Sequence, residues 1–295
     1  MSTMTTDPGS LTLEDLDADE RDALEACLFT LADDEFVLAE RYTEWQVRAP
    51  TLESDLALSN NAQDELGHAR LWYDVLEAFG HDEVDLIYER PPERWRHSTL
   101  VELPFAEGDW ADAIVRHYLY DVAEELRLEA LEGSTYAKIA DRVGKIRSEE
   151  GYHTEHAENW MERLAGDPGS DGHARVQDAV DRLFPHAQTL FEPVDAETEA
   201  TIVEAGFRTA TLEELAEEWL AIVVPFLEAL DLTVPLVEPV PGDEDAFEVA
   251  EEGRPDVRGR DGTHTDAWPE LHAELTETFH ELGRTEATVI MEPQE

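Results

Sequence analysis

Glu65-Leu66-Gly67-His68 and Glu150-Gly151-Tyr152-His153 are the two segments that decide how this sequence is interpreted. Each carries a Glu and a His three residues apart, inside a long stretch with the apolar periodicity of a helix. On a helix, residues three apart project from the same face, one turn from each other. Each segment can therefore offer a carboxylate and an imidazole side by side to a bound ion.

The stretches around these segments predict four long helices and one long connection. From their periodicity and their Pro and Gly breaks, the helices extend over about residues 13–47, 51–80, 110–131 and 134–166. A break in the first helix near Ala32-Asp33-Asp34 is left open. Residues 81–109 contain three prolines and form the connection. Two helices, a long crossover and two more helices are the order found in ferritin-like bundles.

Further helices are predicted after the bundle, over about residues 172–191, 211–230 and 268–283. Residues 231–267 are rich in Pro, Gly and acidic side chains and lack clear periodicity. Strand-like alternation is almost absent. The sequence therefore predicts an all-α fold, a ferritin-like four-helix bundle with a long crossover and additional C-terminal helices. We expect a single domain over residues 1–295, with a bundle core at about 13–166 and a helical extension at about 172–285.

The excess of acidic residues limits which partners the protein is expected to bind and in which cellular environment it is expected to fold. Acidic residues number 71 against 21 basic ones, for a formal net charge of -50. Such a chain repels nucleic acid and anionic membranes, so neither is an expected partner. Because 42% of the residues are hydrophobic and recur with helical period, a folded haloarchaeal-like protein from a high-salt cytoplasm is favoured over a disordered one. A single cysteine, no apolar run of membrane-spanning length and no signal-peptide pattern agree with a cytoplasmic location.

A di-iron centre in such a bundle needs one further carboxylate from each of the other two helices. Glu35 and Glu40 are candidates on the first helix, and Asp121, Glu124 and Glu125 are candidates on the third. Glu35 precedes Glu65 by 30 residues, and Asp121 precedes Glu150 by 29. An antiparallel hairpin about each intervening turn would bring these positions level.

A simpler interpretation must be weighed against a metal site. In so acidic a chain, Glu-x-x-His arises by chance, and one copy alone would more often be a solvated pair on a surface helix. Two copies in the correct helices of the correct topology favour the metal site.

Other side chains carry weaker signals. Tyr152, Trp72 and Trp110 are expected to pack in the core. Four histidines lie in predicted loops and are expected to face solvent: His81, His97, His173 and His264. His156 lies one turn beyond His153. It is expected to be exposed, with contact to a metal-ligating side chain as the alternative. Five arginines are expected mainly in internal salt bridges, with the phosphates of an acyl-CoA as the alternative: Arg48, Arg70, Arg90, Arg94 and Arg96.

Several segments resemble one known family. They are Glu44-Trp45-Gln46-Val47-Arg48-Ala49-Pro50-Thr51-Leu52, Asp64-Glu65-Leu66-Gly67-His68-Ala69-Arg70, Val101-Glu102-Leu103-Pro104 and Gly262-Thr263-His264-Thr265. Together they are similar to the ferritin-like A and C subunits of phenylacetyl-CoA epoxidase. The resemblance covers about residues 25–285, and the layout is closest to the C subunit.

The resemblance implies a subunit of a multicomponent monooxygenase that epoxidises the aromatic ring of phenylacetyl-CoA in aerobic phenylacetate catabolism. Its partners would be A-type and other epoxidase subunits and a reductase, and its substrate an aryl-CoA. Its cofactors would be two iron ions, with electrons from a separate flavin and iron–sulfur reductase. The ligands of the A subunit correspond to metal-binding residues Glu35, Glu65, His68, Asp121, Glu150 and His153.

The chain departs from the pattern of the C subunit at its ligand positions. Typical C subunits carry Gln where His68 stands and serve as structural partners of the A subunit. Here all six positions can bind metal. The resemblance therefore leaves three roles open: a di-iron subunit, a non-catalytic structural subunit, and an oxygenase for another aryl-CoA such as benzoyl-CoA. Iron storage is the least favoured alternative, because the crossover and the C-terminal helices exceed a minimal bundle.

Overall fold

The structure, a computed structural model, describes residues 7–46, 48–105, 109–242 and 246–287, without the side chains of residues 148–151. The first five helices are α1 (Ala18–Trp45), α2 (Leu52–Leu76), α3 (Thr99–Glu102), α4 (Trp110–Glu132) and α5 (Ala137–Ala165). The elements that follow are α6 (Asp171–Ala187), α7 (Ala196–Glu204), α8 (Leu212–Ala229), β1 (Val237–Pro239), β2 (Phe247–Val249) and α9 (Ala267–Glu281). The prediction of an all-α ferritin-like bundle with additional C-terminal helices is confirmed.

The bundle consists of α1, α2, α4 and α5. α1 packs most extensively on α2, and α4 on α5, so each predicted hairpin forms. The crossover between α2 and α4 contains short turns at Glu77–Phe79, Val84–Tyr88 and Pro92–Arg94 and the single-turn α3. The sequence analysis missed the short helices α3 and α7 and the antiparallel pair of β1 and β2. None of the helices in these ranges is long and apolar enough to span a membrane.

Local capping signals set the ends of the bundle helices. Asp17 and Glu20 form a capping box at the start of α1. Thr51 caps α2 as expected, because its Oγ1 accepts the Ser54 N–H at 3.2 Å. A final tight turn then leads to Gly80, whose φ of 102° lies in the left-handed region that glycine adopts without strain.

Helix α1 is continuous through Ala32-Asp33-Asp34, where a break was considered. Both aspartates are fully buried, and both bond to other parts of the fold. Asp33 accepts hydrogen bonds from Arg90 and from the Tyr73 hydroxyl, and Asp34 from arginines of α4 and of the loop before α9. Because these partners neutralise both carboxylates, the aspartates do not compete for the helix backbone.

Several burial predictions are corrected by the packing, whereas Trp72 and Trp110 are buried as expected. Tyr152 is 63% exposed, because it lies on the outer face of α5. His97 and His264 do not face solvent: the His97 side chain is fully buried, and the His264 side chain is 4% exposed. The positions of both histidines in the sequence predicted exposed loops. These loops pack against each other, and this packing buries the two side chains.

Candidate metal centre

Four buried side chains converge inside the bundle. They are Glu35 of α1, Glu65 and His68 of α2, and Glu124 of α4. Each offers one ligand atom, and these four atoms all lie within 4.8 Å of one another. Each residue is at most 2% exposed, so the cluster is shielded from bulk water.

The helix geometry explains why these side chains meet. Glu65 and His68 lie one turn apart on the inward face of α2, whereas Leu66 between them is 37% exposed. Glu35 lies on the opposing helix of the same hairpin, near the middle of α1. Glu124 comes from α4, so three of the four bundle helices contribute.

Three carboxylates and one imidazole in so small a volume are a demanding electrostatic arrangement. Burial raises the pKa of Glu35, but hydrogen bonding with His68, Glu65 and Glu124 outweighs it and lowers the pKa to about 2. His68 Nδ1 lies 3.7 Å from Glu35 Oε2. Buried carboxylates in mutual contact require a compensating cation. Oxygen donors with one imidazole suit iron or a similar first-row metal, so the residues fit the expected group.

The remaining predicted ligands have different surroundings. Asp121 is fully buried one turn before Glu124, and its Oδ2 lies 2.6 Å from His117 Nε2. His153 Nε2 lies 3.3 Å from Asp64 Oδ2. The Glu150 side chain is outside the described residues. The structure thus joins Glu35, Glu65 and His68 to Glu124, and the six-residue ligand set stays a prediction.

His117 is the buried residue near this centre that sequence reasoning missed. Its ring centroid lies 5.8 Å from that of His153 and 5.9 Å from that of His156. A signal was present in the sequence, because His117 and Asp121 are four residues apart and share a face of the third predicted helix. His156 is partly buried, and burial is the main reason that its pKa falls to about 4.

A comparison with protein families decides the membership of this chain. The sequence model of the family described as "Phenylacetic acid catabolic protein" matches residues 11–280. The chain belongs to this family. It is 32% identical over 214 residues to the C subunit of 1,2-phenylacetyl-CoA epoxidase from Escherichia coli (strain K12), covering 72% of this chain and 84% of that relative. It is 30% identical over 194 residues to the A subunit from the same organism, covering 65% of this chain and 62% of that relative.

These matches confirm the resemblance on which the sequence analysis relied. The match to the C subunit extends over more of this chain than the match to the A subunit, in agreement with the expected C-like layout. As a member of this family, the chain has a role in phenylacetate catabolism, and it is related to two subunits of 1,2-phenylacetyl-CoA epoxidase.

A second cluster of histidine and glutamate in this family member lies at the crossover. His97 Nε2 and His264 Nδ1 each lie 2.7 Å from Glu102 Oε2, and the Thr265 N–H donates to Glu102 Oε1 at 2.6 Å. The His97 and His264 rings stack at 4.4 Å. These separations are those of direct hydrogen bonds. The cluster therefore acts as a buried clasp between the crossover and the loop before α9, which we call the Glu102 clasp.

Proposed function

We propose that this chain is a di-iron subunit of a multicomponent monooxygenase that epoxidises the ring of phenylacetyl-CoA. The observation that carries the proposal is the buried cluster of Glu35, Glu65, His68 and Glu124. Relatedness to subunits named for phenylacetyl-CoA epoxidase supports the substrate class. When bound, the two irons would supply oxygen-activating chemistry, with electrons from a separate flavin and iron–sulfur reductase.

The residues of the chain have separate tasks in this proposal. Glu35, Glu65, His68 and Glu124 would hold the first metal, and their carboxylates would offset its charge. Asp121, Glu150 and His153 would hold the second. The burial of the cluster limits the access of water, which protects reactive chemistry from side reactions.

The first test is the iron content per chain after purification in high salt. We expect about two irons in the wild type, as the ligand arrangement of di-iron carboxylate bundles requires. His68→Ala should lose iron while its helical circular dichroism is retained. His81→Ala is the matched control, because His81 pairs with Glu25 outside the bundle core and its side chain is 32% exposed. A well-folded wild type that takes up no iron would contradict the proposal.

A second candidate role is that of a non-catalytic structural subunit. The match to the C subunit, which spans 84% of that relative, is the observation that favours it. Reconstitution with an A-type partner separates the two roles. Full activity of a complex containing the His68→Ala variant would support the structural role, whereas loss of activity would support catalysis within this chain.

The substrate and setting complete the proposal. We propose a single ferritin-like domain that works with A-type and other subunits in a high-salt cytoplasm, without nucleic acid or membrane as a partner. The formal net charge of -50 supports the high-salt setting. Turnover with phenylacetyl-CoA compared with benzoyl-CoA identifies the acyl group, and a clear preference for benzoyl-CoA would reassign it.

A further inference from the structure

His117 occupies a fixed position between two bundle helices. It lies on α4, is 2% exposed, and contacts both Asn61 of α2 and Asp121 of its own helix. The Asn61 amide nitrogen lies 3.2 Å from His117 Nδ1 and 3.0 Å from Nε2. His117 Nε2 lies 2.6 Å from Asp121 Oδ2. The imidazole therefore links an amide donor to a carboxylate acceptor.

The two neighbours of the ring differ in the hydrogen-bonding groups that they offer. The Asp121 carboxylate carries acceptors only, and its Oδ2 is the oxygen in close contact with His117 Nε2. The amide nitrogen of Asn61 can only donate, and it lies within hydrogen-bond distance of both ring nitrogens, so the tautomer of His117 sets which of them accepts. The row Asn61, His117, Asp121 thus holds the imidazole against one oxygen of the Asp121 carboxylate.

The carboxylate of Asp121 meets His117 through Oδ2 and not through Oδ1. Both carboxylate oxygens of Asp121 are buried, and neither makes a hydrogen bond with any residue that the structure describes. An ionised oxygen left in this state is costly unless a cation approaches it. Glu124, one turn further along α4, already belongs to the four-residue cluster. Helix α4 therefore presents two carboxylates with different surroundings.

We propose that His117 is a positioning residue that holds Asp121 as a ligand of the second metal, while Glu124 serves the first. This inference rests on the proposed function, because it needs a centre with two metals. The contact of His117 Nε2 with Oδ2 leaves Oδ1 to bind the cation. His117 acts as the outer partner of a ligating carboxylate, a role that typically contributes about 10- to 100-fold in metal affinity.

The test is a titration of metal-depleted protein with Co²⁺, followed by visible absorption and by metal content. For His117→Leu we expect the first Co²⁺ to bind as in the wild type and the second to bind about 10- to 100-fold more weakly. His117→Gln keeps an N–H donor, so we expect it to recover part of the second affinity. Thermal unfolding of each metal-depleted variant reports whether the fold is intact.

A double-mutant cycle separates positioning from a general structural effect. If His117 acts through Asp121, adding His117→Leu to Asp121→Ala should not weaken the second Co²⁺ further. Additional weakening in the double variant would overturn the proposal, and so would two equally tight sites in His117→Leu. If His117→Leu does not fold, His117→Gln combined with Asp121→Ala gives the same cycle.

The outcome also distinguishes this inference from the proposed function. A wild type that binds two Co²⁺ beside a His117→Leu variant that binds the second Co²⁺ as tightly as the wild type does would overturn the positioning role alone. A wild type that binds no Co²⁺ would overturn both, because no second metal would then exist for Asp121 to hold.

Discussion

Arg260 and Asp34, which lie 226 positions apart in the sequence, form a buried, bidentate ion pair. Arg260 Nη1 lies 2.9 Å from Asp34 Oδ1, and Nη2 lies 2.7 Å from Oδ2. Arg127 of α4 adds a further bond at 2.6 Å. Burial raises the pKa of Asp34, but Arg260 and Arg127 outweigh it and lower that pKa. These hydrogen bonds attach the loop before α9 to α1 at Asp34, one residue before Glu35.

This ion pair predicts a large loss of stability in Arg260→Ala. The variant leaves Asp34 with one arginine fewer and removes donors from the carbonyls of Thr30, Arg96 and Leu190. Breaking a buried pair typically costs about 3–5 kcal/mol. Urea unfolding at constant salt measures the change in the free energy of unfolding.

Arg258→Ala is the control for this prediction. Arg258 lies two residues earlier, is 57% exposed, and pairs with Glu192 at the surface. An exposed pair contributes about 0–1 kcal/mol, so the control should remain near the wild type. Equal losses in the two variants would contradict the assignment of Arg260 as a buried anchor.

The Glu102 clasp predicts a pH-dependent contribution to stability. Burial raises the pKa of Glu102, but hydrogen bonds from His264 and His97 outweigh it and lower the pKa from 4.5 to about 2. Because the folded-state pKa is depressed, the stabilisation is present above about pH 4.5 and is lost as the pH falls towards 2. The full effect is about 3 kcal/mol.

The measurement is the free energy of unfolding of wild type and Glu102→Gln as the pH is lowered. The stability advantage of the wild type should shrink below about pH 4.5, since Gln cannot ionise. A difference that stays constant down to the acid limit of the fold would show that the Glu102 charge contributes nothing through the clasp.

Neighbouring glutamates on α4 provide a matched test of the metal centre. Glu124 belongs to the buried cluster, whereas Glu125 is exposed on the other side of the helix. Glu124→Gln should lose about one metal per chain, because a neutral amide is a weaker ligand than a carboxylate. Glu125→Gln should bind metal as the wild type does. Metal analysis after dialysis measures both, and equal metal content would remove Glu124 from the ligand set.

The acidic composition predicts that stability depends on salt. Seventy-one acidic residues oppose 21 basic ones, so the folded chain repels itself when screening is weak. Lowering KCl from about 1 M to about 0.1 M lengthens the Debye distance from about 3 Å to about 10 Å. The melting temperature should fall across this range. Sucrose in place of KCl should not restore it, and an unchanged melting temperature would refute the prediction.

The helices and the first metal-site residues could be found in the sequence because their signals are local. Glu65 and His68 share a helical face whatever the rest of the chain does, since a period of 3.6 residues sets their separation. Thr51 and Gly80 mark the ends of their helix through their own capping chemistry. The spacing of 30 residues then placed Glu35 opposite Glu65, and the structure has them together.

The sequence by itself determined the all-α bundle, its crossover and the presence of paired Glu-x-x-His segments, because these follow from periodicity and local capping. Only the tertiary structure decided that Glu124 joins the cluster while Asp121 lies against His117, since rotation of α4 selects between carboxylates one turn apart. It also decided that His97 and His264 are buried around Glu102. Contacts between residues far apart in sequence depend on how complete elements pack, and no local pattern specifies that packing.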